Sequence, residues 1–122
     1  MSWNLSKERP IYIQLVEQIK LQILSGHYRP GERFPSVREL ATEAAVNPNT
    51  MQKAFTELER TGLVFSQRTT GRFITEDTSM IDELKSTLAK DKITELLSFM
   101  QQLGFQENEI LAMIGQTMKG EK

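Results

Sequence analysis

Two helix-start signals stand eleven residues apart in the stretch SVRELATEAAVNPNTMQKAF, residues 36–55. Ser36 with Glu39 fits a capping box: the serine hydroxyl can accept from the N3 amide while the glutamate reaches back to the cap's own N–H. Asn47 is a good N-cap and Pro48 a good first helical residue, since the N–H that proline lacks has no partner inside a helix. The proline therefore starts a helix instead of breaking one. The first helix must finish before the second begins, so it is short. The connection, Ala45-Val46-Asn47, is tight and turn-like. Val37, Leu40, Ala41 and Ala44 give the short helix a narrow face of small residues that another helix can approach closely. Met51, Ala54, Phe55 and Leu58 recur at +3, +4 and +7, the spacing of a buried stripe, and Gly62 stands at the stop position.

The flanks extend this pair into a domain. Pro10 suits a first helical turn, and Tyr12, Leu15, Val16, Ile19 and Ile23 mark one apolar face ahead of a terminating Gly26. His27 to Pro35 carries Pro30, Gly31 and Pro35 and reads as a loop. Beyond Gly62, LVFSQ and RFIT read as two short strands around the polar turn RTTG. Helix, short helix, tight connection, capped helix and β-hairpin make a winged helix-turn-helix. The fold class expected is mainly α (α+β), with this module over residues 1–76.

The character changes near Asp77. Ile81, Leu84, Leu88, Leu96, Met100 and Leu103 follow a long helical pattern, which Ile93 and Leu97 widen and Gly104 can end. Gln106 to Glu109 offers a weaker cap for a last helix carrying Ile110, Leu111, Ile114 and Met118. Two helices cannot fully bury these faces against each other, and a helical hairpin is too small to stand alone. Residues 77–122 are therefore expected to be a two-helix dimerisation tail, with Ile81, Leu84, Leu88, Leu96, Met100, Leu103, Ile110 and Ile114 at the interface. Packing back onto residues 1–76 is the alternative.

Charge follows the same division. Residues 1–76 hold ten Lys and Arg against eight Glu, a net of +2; residues 77–122 hold five Lys against eight Asp and Glu, a net of −3. All seven arginines precede residue 73, and arginine suits bidentate contacts with phosphates and base edges. An anion-binding first module fits this asymmetry, as does chance in a short chain. With no cysteine, thiolate metal sites and disulfides are excluded, and no apolar run approaches the ~18 residues of a membrane span. The N-terminus has no apolar core of signal-peptide type. A soluble cytoplasmic protein, with no membrane partner and no cofactor, is expected.

In a helix-turn-helix the third helix enters the major groove by its N-terminal end, where free N–H groups also attract phosphate. Asn49 and Thr50 lead that end. Gln52 and Lys53 follow, away from the apolar stripe; Gln52 can read adenine and Lys53 can meet a phosphate. Arg38, early in the preceding helix, can reach a phosphate or guanine. Arg68, Thr70, Gly71 and Arg72 form the wing turn, where the glycine permits close approach to backbone or minor groove. Each residue by itself reads as a solvated polar side chain; their grouping on one face of one fold favours DNA.

GERFPSVRELA followed by AVNPNTMQKAFTELERTGLVFSQRTTGRFI resembles the DNA-binding domain of the GntR family of bacterial transcription regulators. The shared pattern is G-x-x-[LF]-P-S-x-R-x-L-A, a recognition helix, and a wing ending in G-x-F-[VI], over about residues 8–76. The NPNT form and the short tail resemble the YtrA-type branch. The resemblance implies DNA contacts by Arg38 and by Asn47, Pro48, Asn49 and Thr50. It also leaves Ser36 as a cap whose hydroxyl can meet a phosphate. Many members carry arginines where this chain has Pro48 and Gln52, so their operators do not transfer. The wing, Arg68 to Arg72, has one glycine fewer than the common Q-G-K-G-T. By the same resemblance the tail pairs two subunits, a small-molecule effector would bind in a small site or at the dimer interface, and the regulated genes are often those of an ATP-binding-cassette transporter that the protein represses.

An enzyme is not expected. His27 is the single histidine and lies in a loop, and Glu57 and Glu59 diverge on their helix. The serious rival is a winged-helix module that binds another protein instead of DNA.

Overall fold

The computed structural model describes residues 3–120. Its elements run α1 (Ile11–Leu24), β1 (Arg33–Phe34), α2 (Val37–Ala44), α3 (Pro48–Thr61), β2 (Val64–Gln67), β3 (Gly71–Ile74), α4 (Thr78–Gln102) and α5 (Glu107–Met118). The fold is the expected one, mainly helical with a small sheet. Two compact units are distinguished, residues 1–82 and 83–122, with the division inside α4. Asp77 caps α4 through its carboxylate, which accepts from Met80 N–H at 3.0 Å, and Ile81 in the next turn is buried. That first turn belongs to the first unit for this reason.

In the first unit α1 and α2 both pack on α3. Leu15 and Ile19 of α1 meet the stripe Met51, Ala54, Phe55 and Leu58, all fully buried, and Leu40, Ala41 and Ala44 cover it from α2. The aromatic rings of Tyr28, Phe34 and Phe55 continue this core at centroid spacings of 5.1 and 5.2 Å. Burial, with Glu43 and Glu32 nearby, holds the Tyr28 phenol above its usual pKa. One buried residue of α1 is polar: Gln14 sits in a position the apolar periodicity does not mark. Its side-chain amide donates to the carbonyls of Ser6 and Arg9 and accepts from Ser6 N–H, tying the segment ahead of α1 to the helix. Pro10 takes the N-cap position, one residue before the first helical turn.

The sheet has order β1-β3-β2, both pairings antiparallel, with Phe34 opposite Arg72 and Gln67 opposite Gly71. The third strand, β1, arises inside the segment expected to be loop throughout. Two residues between Gly31 and Pro35 carry no strand periodicity; β3 supplies the pairing that makes them extended.

Helix ends follow from local chemistry. Ser36 and Glu39 form the reciprocal capping box, with hydrogen bonds of 3.1 and 3.3 Å. α1 closes through His27 N–H on the Gln22 carbonyl and Gly26 N–H on that of Ile23, a Schellman end with Gly26 left-handed at φ +89°. α2 closes the same way, with Val46 N–H on Ala41 and Ala45 N–H on Thr42, yet the left-handed residue is Ala45 at φ +57°. No other residue except glycine has positive φ among the described residues.

In the second unit, α4 ends at Gly104 through a further Schellman motif, and Gln106 N–H donates to Glu109 at the head of α5. Met100 and Ile110 are buried, whereas Leu88, Ile93, Leu96, Phe99, Leu103, Leu111, Met113 and Met118 are exposed.

Candidate nucleic-acid interface

α3 presents two faces. Met51, Ala54, Phe55 and Leu58 are inward, and Asn49, Gln52, Lys53 and Thr56 are outward and exposed. Asn47 is the helix cap: its side-chain oxygen accepts from Asn49 N–H at 2.7 Å, which leaves its amide NH2 as the free end. Pro48 occupies the first helical position, and the first turn holds no acidic residue. The positive end of the helix dipole is thus uncompensated, which favours an approaching phosphate. Thr50 is half-buried beneath this end. Lys53 is held over the Tyr12 ring of α1, 4.0 Å from its centroid, a cation–π contact that restricts where the ammonium can stand. Thr56 carries no motif signal of its own. It lies one turn beyond Gln52 on the same exposed face, and its hydroxyl donates to the Gln52 carbonyl at 3.1 Å. Spacing of +7 from Asn49 was the signal available.

Arg38 projects from the first turn of α2, exposed and without an ion pair among the described residues. Ser36 has its hydroxyl engaged by Glu39 N–H. Its role here is that of a cap.

The wing turns through three residues, Arg68 to Thr70, between paired Gln67 and Gly71. Thr70 donates from its hydroxyl to the Gln67 side chain at 3.0 Å, and Arg68 is exposed at the tip. Gly71 has φ +107°, which an L side chain rarely adopts, so the turn itself demands glycine there. Arg72 differs from expectation. Its Nε donates to the Glu59 carboxylate of α3, its guanidinium lies 5.1 Å over the Phe55 ring, and it is 26% exposed. Glu59 also accepts from Ser66 of β2 at 3.1 Å. One carboxylate on the recognition helix therefore ties down both wing strands, with Arg72 held to it through Nε. Glu59, set aside as a catalytic partner, has this work.

The expected dimer face is also reduced. Ile81, Met100 and Ile110 are covered within a single chain, and Leu84 and Ile114 are half-buried. Leu88, Leu96 and Leu103 remain exposed, joined by Phe99, which the helical stripe did not include. Leu96, Met100, Met113, Ile114, Thr117 and Met118 line an apolar groove of about 300 Å³ within the second unit. No helix among the described residues is long and apolar enough to cross a membrane.

This arrangement of helices, wing and exposed helix end coincides with a family model described as bacterial regulatory proteins, gntR family, which matches residues 11–74. The chain belongs to the GntR family. It is 43% identical over 94 residues to the HTH-type transcriptional repressor YtrA of Bacillus subtilis, covering 77% of this chain and 68% of that one. This supports the YtrA-type branch. The structure superposes on that of a GntR family transcriptional regulator from Listeria monocytogenes with a TM-score of 0.88 at 38% identity, over 92% of this chain and 98% of the other. It also resembles the DNA-binding domain of AraR solved in complex with its operator, TM-score 0.51 at 28% identity, covering 62% of this chain and 93% of that one. This GntR chain is a winged helix-turn-helix, DNA-binding transcription regulator and not an enzyme.

Proposed function

We propose that the protein is a sequence-specific repressor that binds a roughly palindromic operator as a homodimer. The observation that carries this reading is the start of α3: a capped helix end with no acid in its first turn, bearing exposed Asn49 and Gln52, with unpaired Arg38 on the neighbouring helix. Asn49 and Gln52 carry the amide groups that pair with adenine, and Arg38 carries a fork suited to phosphate or guanine. Lys53 and Arg68 add backbone contacts that position the module without reading sequence. The exposed apolar residues of α4 and α5 form the surface that a second copy covers, and two recognition helices then address half-sites about one DNA turn, ~34 Å, apart. In keeping with the YtrA-type branch it resembles, the operon it controls would encode an ATP-binding-cassette transporter.

Selection of bound fragments from random DNA tests the reading directly. It is expected to return an inverted repeat whose affinity for the full chain falls steeply with salt, as phosphate contacts release counterions. Arg38→Ala is expected to abolish that binding while the melting temperature stays unchanged. A chain ending at residue 82 is expected to be monomeric and to bind half-sites weakly. A shallow salt dependence, with no enriched sequence, would instead identify a protein-binding module.

A further inference from the structure

Arg33 opens β1, is exposed, and its side chain has no hydrogen bond or ion pair among the described residues. Its guanidinium lies along the backbone of the wing: a Cβ at Gly71 would stand 3.4 Å from both Nε and Nη2. Glycine at position 71 is required by the left-handed turn, and the Arg33 side chain runs within contact distance of it. Arg33, Pro35, Ser36, Glu39, Gly71 and Arg72 line one hollow of about 80 Å³ between the wing and the start of α2. The two cations of this hollow stand differently. Arg72 is turned onto Glu59, and Arg33 is unpaired. Glu39 faces the same hollow with one carboxylate oxygen held by Ser36 N–H at 3.3 Å.

We propose that Arg33 is a DNA phosphate contact, a clamp on the wing side beside the Glu59-bound Arg72. The inference rests on the DNA-binding reading above. A guanidinium offers a planar fork that grips a phosphate through two hydrogen bonds, and its placement against the wing backbone restricts its freedom before DNA arrives. The Glu39 carboxylate keeps the phosphate at the open rim of the hollow, within reach of Arg33. Arg33 on β1, Arg38 on α2 and Arg68 at the wing tip are all exposed cations of the same module. Contact with the backbone carries no sequence information, so Arg33 strengthens binding equally at all sites of the same shape.

The test uses the full chain with the selected operator, titrated from about 50 to 200 mM salt, the range over which phosphate contacts weaken most visibly. Arg33→Ala is expected to reduce the slope of log affinity against log salt by about 0.9, the value of one phosphate. Base preferences in the random-DNA selection are expected to stay as in the parent chain. Arg33→Lys is expected to restore most of the slope, since it keeps the charge. An unchanged slope in Arg33→Ala overturns the proposal by making the residue structural. A changed preference at one base position overturns it by making the residue a base reader. Failure of the parent chain to show a steep slope would instead remove the DNA-binding reading, so the two failures are distinguishable.

Discussion

Among the described residues, seventeen of the nineteen buried apolar side chains lie in residues 1–82, and eight of the eleven large apolar side chains left exposed lie beyond residue 82. The first unit closes its core with three helices and a sheet. The second has two helices and buries Met100 and Ile110. An exposed surface of this kind in a small helical pair is an interaction surface or a liability, because two helices offer too little area for self-sufficient burial. The contrast teaches that folding closes the core of the first unit, whereas on the homodimer proposal it is association that would cover the second.

The largest effect expected inside the first unit is Phe55→Ala. Phe55 is fully buried and packs against Phe34 and Arg72, so the substitution is expected to cost ~3–5 kcal/mol in a denaturant titration. A loss below ~1 kcal/mol would mean that the core is less tightly packed than its burial indicates.

Leu103→Glu probes the opposite side of the comparison. Leu103 is 59% exposed, so the stability of residues 1–82 is expected to be unchanged while dimerisation weakens by ~2 kcal/mol, roughly thirtyfold in dissociation constant, by sedimentation. An unaffected dimer would place the interface elsewhere and erase the contrast.

Glu59→Gln sharpens the account of the first unit. Its carboxylate holds Ser66 and Arg72, but both members of the ion pair are partly solvated, at 26% and 32% exposure, so the stability loss is expected to be ~1 kcal/mol or less. The accompanying readout is faster amide exchange in β2 and β3, as the wing loosens from α3. Unchanged exchange would show that the sheet alone holds the wing.

Ala45→Gly is the smallest and has the opposite sign. A left-handed alanine costs ~1 kcal/mol relative to glycine, so the variant is expected to gain ~0.5–1 kcal/mol in the same titration. A loss would mean that the greater freedom of glycine in the unfolded chain outweighs the relieved strain.

Much of the helical framework was legible because its signals are local. Ser36 with Glu39, Asn47 with Pro48, and the glycines at 26, 62 and 104 act within one turn of chain, and the stripe of Met51, Ala54, Phe55 and Leu58 is set by helical period alone. The candidate site was legible to the same depth: α3 displays Asn49, Gln52 and Lys53 outward because the stripe turns inward. What stayed hidden depends on partners distant in sequence. Arg72 is drawn to Glu59, thirteen residues away, β1 is extended by pairing with β3, and Gln14 is buried because Ser6 and Arg9 present carbonyls to it. Ala45 adopts a conformation that composition assigns to glycine or asparagine, since the packing of α2 against α3 requires the turn there.

Sequence by itself therefore determined where helices start and stop and which faces turn inward, since caps, proline and periodicity act over one or two turns. Tertiary structure alone decided which cations stay available. Arg33, Arg38 and Arg72 are alike as residues, and long-range geometry turns Arg72 onto Glu59 while leaving the other two unpaired.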